Sequence, residues 1–151
     1  MTPDEQLKVF RGALDACKER RFGEASNMLR LLVHAGSNDP RHLSFYGLML
    51  ARSGRSKVEG IEYCRRAAAL GRNQPQLLVN LAHAYCASGQ LNRAVQVLRQ
   101  ASRTAVVPDP VVLNELERLS PRGRPVFGSL DRNHVLNKYL GRFRSRFQRA
   151  G

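Results

Sequence analysis

A period runs through this chain, and it constrains the fold more than any other feature. A small residue recurs at Ala25, Gly60 and Ala94, and seven residues after each stand Leu32, Ala67 and Ala101. Successive members of each series are 35 and then 34 residues apart. Pro40 and Pro75 keep the interval of 35, and Pro108 or Pro110 continues it. A repeat of this length with helical spacing inside each unit is what stacked helix pairs produce. One pair cannot cover its own apolar face and must lean on the next.

The third unit is the most regular. After Pro75, the residues Leu78, Leu81, Ala82 and Tyr85 recur at steps of three and four, which places them on one helical stripe. Gly89 predicts the end of that helix, since glycine adopts the left-handed conformation without a Cβ clash. Leu91, Ala94, Val95, Leu98 and Ala101 form the stripe of a second helix. Ala82 and Ala94 are small enough to let the two helices approach closely. The second unit is looser, with Leu43, Tyr46, Gly47 and Leu50, then Gly54, Gly60, Cys64 and Ala67. It has one extra residue between Gly54 and Gly60 and a lengthened exit over 69–75. The first unit has Ala13, Ala16, Phe22, Ala25, Leu29 and Leu32, with Arg20 at the turn where the third has a glycine.

Leu78-x2-Leu81-Ala82-x2-Tyr85, Gly89, Ala94-x3-Leu98 and Ala101 resemble the tetratricopeptide repeat, a helix–turn–helix unit of 34 residues. The chain has no tryptophan, and Leu43 and Leu78 stand where the family's first-helix tryptophan falls. The resemblance covers about residues 5–107. It implies an all-α fold, a right-handed α-solenoid of about three helix–turn–helix repeats, built for interaction rather than catalysis. A stacked array exposes an apolar face at its last unit, and DPVVLNELERLS, with Val112, Leu113, Leu116 and Leu119 apolar, predicts a capping helix there.

PRGRP at 121–125 cannot continue a helix and reads as a linker. The expected organisation is a helical-repeat domain over 5–120, a linker over 121–130 and an amphipathic helix over 131–149. That last segment sets Val135, Leu136, Tyr139, Leu140, Phe143 and Phe147 on one side, with Arg132, Lys138, Arg142, Arg144, Arg146 and Arg149 as a basic tail.

Charge bounds the partners. Lys and Arg number 25 against 12 Asp and Glu, a net +13. Residues 121–151 hold eight basic residues and one acid, so +7 of that excess lies there. Such a field favours acidic or phosphate-bearing partners. An apolar fraction of 42% argues against wholesale disorder. No apolar run approaches the roughly 18 residues of a membrane span. The start, MTPDEQLKVF, lacks the basic-then-apolar order of a signal peptide, and three unpaired cysteines suit a reduced compartment. A cytoplasmic location is expected.

Catalytic signals are lacking. No phosphate-binding glycine loop and no nucleophile elbow occurs, and His34, His42, His83 and His134 stand at no metal-ligand spacing. Cys17 and Cys86 occupy matching places in units one and three, as small packing residues do. No enzyme activity, cofactor or metal is expected.

What remains is a surface. In helix-pair solenoids the first helices line the concave side. The residues expected there are Phe10, Arg11 and Leu14 in unit one, Arg41, Phe45, Leu48 and Arg52 in unit two, and Gln76, Asn80 and His83 in unit three. Apolar patches rimmed by positive charge suit a protein partner, an acidic or amphipathic peptide segment. Family members that clamp a chaperone's C-terminal carboxylate use Lys, Asn and Arg at places held here by Phe10, Leu14, Phe45, Gln76 and Asn80. That specialisation is not implied. The expected role is a non-enzymatic adaptor or scaffold. The alternative is a nucleic-acid-binding accessory protein acting through the basic tail, its arginines on phosphates and its aromatic rings on bases. Self-association through an exposed end face is a third possibility.

Overall fold

A computed structural model of the chain describes residues 1–120. The expected linker and basic helix, with Arg132, Lys138, Arg142, Arg144, Arg146 and Arg149, lie outside the described residues. The described residues form seven helices and no strand: α1 (Pro3–Lys18), α2 (Phe22–His34), α3 (Pro40–Ser53), α4 (Lys57–Leu70), α5 (Pro75–Ala87), α6 (Leu91–Thr104) and α7 (Pro110–Leu119). None is long and apolar enough to cross a membrane.

The proline period marks helix starts. Pro40 and Pro75 occupy the first turns of α3 and α5, and Pro110, rather than Pro108, continues the series by opening α7. A proline costs nothing there, because the first N–H groups of a helix have no partner inside it. Side chains satisfy several of those groups. Thr2 and Glu5 form a reciprocal capping box on α1, with Thr2 N–H donating to Glu5 Oε2 at 2.7 Å and Glu5 N–H to Thr2 Oγ1 at 3.2 Å. Asp39 Oδ1 accepts from the Arg41 N–H at 2.8 Å, and Asp109 Oδ1 accepts from the Val111 N–H at 2.8 Å.

Left-handed residues make the turns. Gly54 and Gly89 take φ of 72° and 76° between α3 and α4 and between α5 and α6. Arg20 is forced to φ 60° between α1 and α2, a conformation that costs a residue with a Cβ about 1 kcal/mol or more. The extra residue of the second unit does not lengthen its turn. It extends α3, which has 14 residues against 13 in α5. The exit expected to be long over 69–75 is short as well, since α4 continues to Leu70 and leaves only 71–74 between α4 and α5.

Neighbouring helices pack as α1 on α2, α3 on α4 and α5 on α6; α3, α5 and α7 also pack in succession. The small residues set the distance within a pair. A Cβ on Gly60 would stand 2.5 Å from the Gly47 carbonyl oxygen, and one on Gly47 would stand 2.8 Å from Tyr63 Cβ. Ala13, Ala16, Ala25, Ala67, Ala82 and Ala94 are buried at similar crossings. Leu29, Leu32, Leu43, Leu77, Leu98 and Leu116 are fully buried between them. Each such leucine contributes about 2 kcal/mol through apolar burial.

Candidate functional site

The residues expected to line a groove on the first helices divide into two groups. Phe10, Leu48 and Asn80 are only 5%, 4% and 2% exposed, so none of them offers a surface to a partner. Phe10 wedges between α1 and α3, its ring centroid 4.5 Å from that of His42 and 5.8 Å from that of Phe45. Leu48 lies on α3, which is covered by α2, α4 and α5 and is buried on nearly all sides. Asn80 is a buried polar link. Its Nδ2 donates to Ser44 Oγ at 3.0 Å and its Oδ1 accepts from Gln76 Nε2 at 3.0 Å, joining α3 to α5. An apolar residue there would leave the Ser44 hydroxyl without this donor.

His83 is committed too. Its Nε2 lies 2.7 Å from Glu115 Oε1 on α7, and Arg118 donates from Nε to both Glu115 oxygens at 3.0 and 3.1 Å. Burial pushes the Glu115 carboxyl up, but the hydrogen bonds from Arg118 and His83 outweigh it and hold it below the usual carboxylate range. The cluster fixes α7 against α5. That leaves Arg11, Arg41, Arg52 and Gln76 exposed, beside the half-buried Leu14 and Phe45.

Two of those arginines have partners within the fold. Arg41 binds Asp39 through Nε at 3.1 Å and Nη2 at 2.7 Å, and its guanidinium lies 5.7 Å from the centre of the Phe10 ring. The Arg41 hydrogen bond holds the Asp39 carboxyl below its ordinary value. Arg52 stands 5.8 Å from the centre of the Phe22 ring. Both arginine side chains are exposed, which suits an incoming carboxylate.

The cysteines sit in packing positions. Cys64 is fully buried on α4, and burial pushes its thiol up to about 12. Cys17 Sγ lies 3.8 Å from Met49 Sδ across α1 and α3. Burial raises Cys17 and Cys86 as well, the opposite of what activates a nucleophilic thiol. No cluster of three His, Cys, Asp or Glu side chains that could hold a metal ion occurs among the described residues.

A concavity lies where sequence reading placed nothing. Between α4, α5, α6 and α7 an open cleft of about 820 Å³ is lined by the half-buried Leu78 and Val97 over the buried Leu81 and Val112, with Arg65 on α4 and Arg72 in the connection from α4 to α5. The signal that locates it is in the sequence. Leu81 and Val97 stand one repeat after Tyr46 and Tyr63, and they are much smaller.

Compared with known proteins, the chain matches no family model and no curated protein.

Proposed function

We propose that the chain is a non-enzymatic adaptor of the tetratricopeptide-like class. In this reading α1 to α6 are three helix–turn–helix repeats of a right-handed solenoid, α7 caps them, and the first helices present the surface that holds an acidic or amphipathic peptide segment. The observation that carries it is that Arg11 on α1 and Arg41 and Arg52 on α3 are exposed, while Leu14 and Phe45 on the same two helices are only half-buried. Exposed guanidinium groups next to apolar side chains bind segments that alternate acids with apolar anchors. Phe10 and Leu48 support this face from beneath rather than touching the partner, and Asn80 and His83 fix the helices that frame it.

The test uses immobilised acidic amphipathic peptides and the full chain. Replacing Arg41 with Gln and Phe45 with Ala together is expected to weaken capture by about tenfold, the loss of one anchor and one charge. Far-UV circular dichroism should keep its helical signal. Unchanged capture by a folded double variant would remove this face from the proposal.

The second reading, nucleic-acid binding, rests on a separate observation: +7 of the net charge lies within residues 121–151. It makes a different prediction about salt, argued below.

A further inference from the structure

The repeat supplies its own template for what this cleft would hold. In the preceding seam, Tyr46 on α3 and Tyr63 on α4 meet edge to face, with ring centroids 5.0 Å apart and planes at 72°. Arg30 and Glu59 are close enough to act on the Tyr46 phenol in opposite senses. Two aromatic rings pack together in that seam, with a carboxylate and a guanidinium near them.

One repeat further, each of these positions has an equivalent. Arg30 becomes Arg65, Tyr46 becomes Leu81, Tyr63 becomes Val97 and Glu59 becomes Arg93. Arg65, Leu81 and Val97 all line the open cleft. The guanidinium is therefore kept, while the two rings are cut down to aliphatic side chains and the carboxylate is lost. The ring pair of the first seam is missing from the second.

We infer that the cleft between α4, α5, α6 and α7 is a second binding site, which takes an acidic peptide segment carrying aromatic side chains. A ring packs on the half-buried Leu78 and Val97, above the buried Leu81 and Val112, and a carboxylate meets Arg65 and Arg72. The half-buried Leu78 and Val97 favour burying a ring against aliphatic groups. The bases of a nucleic acid would instead need aromatic platforms to stack on, and none of the residues lining the cleft is aromatic.

The charges favour an anion. Arg65 pairs with Glu62 at 2.9 Å, but both side chains are more than half exposed, so this pair is weak and easily exchanged for a ligand's carboxylate. Arg72 makes no ion pair among the described residues. The carboxylate lining the cleft, Asp109, is already engaged in capping α7 through Val111. The site shares no residue with the face of Arg11, Arg41 and Arg52, and it stands or falls independently of the adaptor reading given above.

The experiment titrates full-length, isotope-labelled protein with two probes and follows backbone amide resonances. One probe is an acetylated octapeptide of Tyr, Leu and Glu; the other is 4-hydroxyphenylacetate, a phenol bearing one carboxylate. Both should perturb amides of 68–72, 78–81 and 97–104. The uncharged phenol 4-methylphenol should bind the same residues more weakly, by about fivefold for two lost exposed ion pairs.

Two variants complete the test. Leu81→Tyr with Val97→Tyr rebuilds the tyrosine pair of the preceding repeat, so it should fold and lose binding by at least about tenfold. Arg65→Gln with Arg72→Gln should weaken the two acidic probes and leave 4-methylphenol unchanged. The inference is overturned if the shifts fall on α1 and α3, if the tyrosine variant binds as well as the parent, or if a twelve-nucleotide oligothymidylate displaces the peptide from these residues. Should the tyrosine variant not fold, the arginine variant decides alone. Equal loss of the charged and uncharged probes, or no loss of either, would sink the charge-recognition step.

Discussion

At the scale of single residues, the buried polar groups are where helical periodicity gave least warning. His42 sits on the first helix of the second unit and is almost wholly buried, a placement that nothing in its spacing announces. Its Nδ1 lies 2.7 Å from the Ser37 hydroxyl, which in turn accepts the Asp39 N–H at 3.3 Å. Phe10 covers its ring, and Asp39 Oδ2 stands 3.9 Å from Nε2, too far for a hydrogen bond. Burial is the main reason its pKa is lowered; Arg41 adds to the effect and Asp39 opposes it. A histidine whose folded pKa lies below its unfolded value favours the neutral form in the native state. Its contribution to stability is therefore complete above the unfolded value near 6.5 and is lost as pH falls through the folded value. Asp39 and Glu115, both lowered, act with the same sign in a more acidic window. Thermal melts are expected to show a falling midpoint from pH 7 toward pH 5, with a smaller fall in His42→Gln. An equal fall in that variant would place the acid sensitivity elsewhere.

At the scale of elements, most of the architecture was legible in the sequence because it rests on small residues at fixed intervals. Ala25, Gly60 and Ala94 mark where second helices press on first helices, and Pro40, Pro75 and Pro110 mark where α3, α5 and α7 begin. The site was less legible. Periodicity assigns a residue to a helix face, but a helix such as α3, with neighbours on several sides, buries most of its faces. That is why Phe10, Leu48 and Asn80 were expected at the surface and lie beneath it. The cleft went unseen for a related reason, since it is defined by what Leu81 and Val97 lack relative to another repeat. The crossing of α3 and α4 yields a sharp test of the packing argument. In an open helical position, replacing Gly with Ala stabilises by up to about 1 kcal/mol. Gly23 on α2 is such a position, with nothing within 4 Å of an added Cβ. At Gly47 the same methyl would strike the Gly60 carbonyl oxygen and come within 2.9 Å of the Cys64 nitrogen, both backbone atoms that cannot turn aside. Gly23→Ala should therefore raise the urea midpoint, and Gly47→Ala should lower stability by about 2 kcal/mol as α3 and α4 are pushed apart. Two shifts of the same sign would show that the close approach of these helices is not a source of stability.

At the scale of the whole molecule, the division of charge separates the two functional readings. Residues 1–120 hold 17 basic and 11 acidic side chains, and in the structure Lys18, Arg21, Arg41, Arg65 and Arg118 are each paired with a carboxylate. Pairing shortens the reach of their field, which suits short-range recognition of a peptide more than attraction of a polyanion. Residues 121–151 have one acid for eight bases and so supply most of the unbalanced charge. If that segment bound nucleic acid, neutralising six phosphates would release counterions and make affinity fall by about 10³-fold between 50 and 200 mM salt. A peptide held by apolar anchors depends on salt far less. The adaptor reading thus expects full-length protein purified at low salt to show a protein-like ratio of absorbance at 260 and 280 nm. The chain is well suited to that measurement, because with four tyrosines and no tryptophan even slight nucleic-acid carry-over dominates its weak absorbance at 280 nm. A high ratio that nuclease abolishes, and that disappears when Arg142, Arg144, Arg146 and Arg149 are replaced with Gln, would transfer the function to the basic segment and leave the helical repeats as its support.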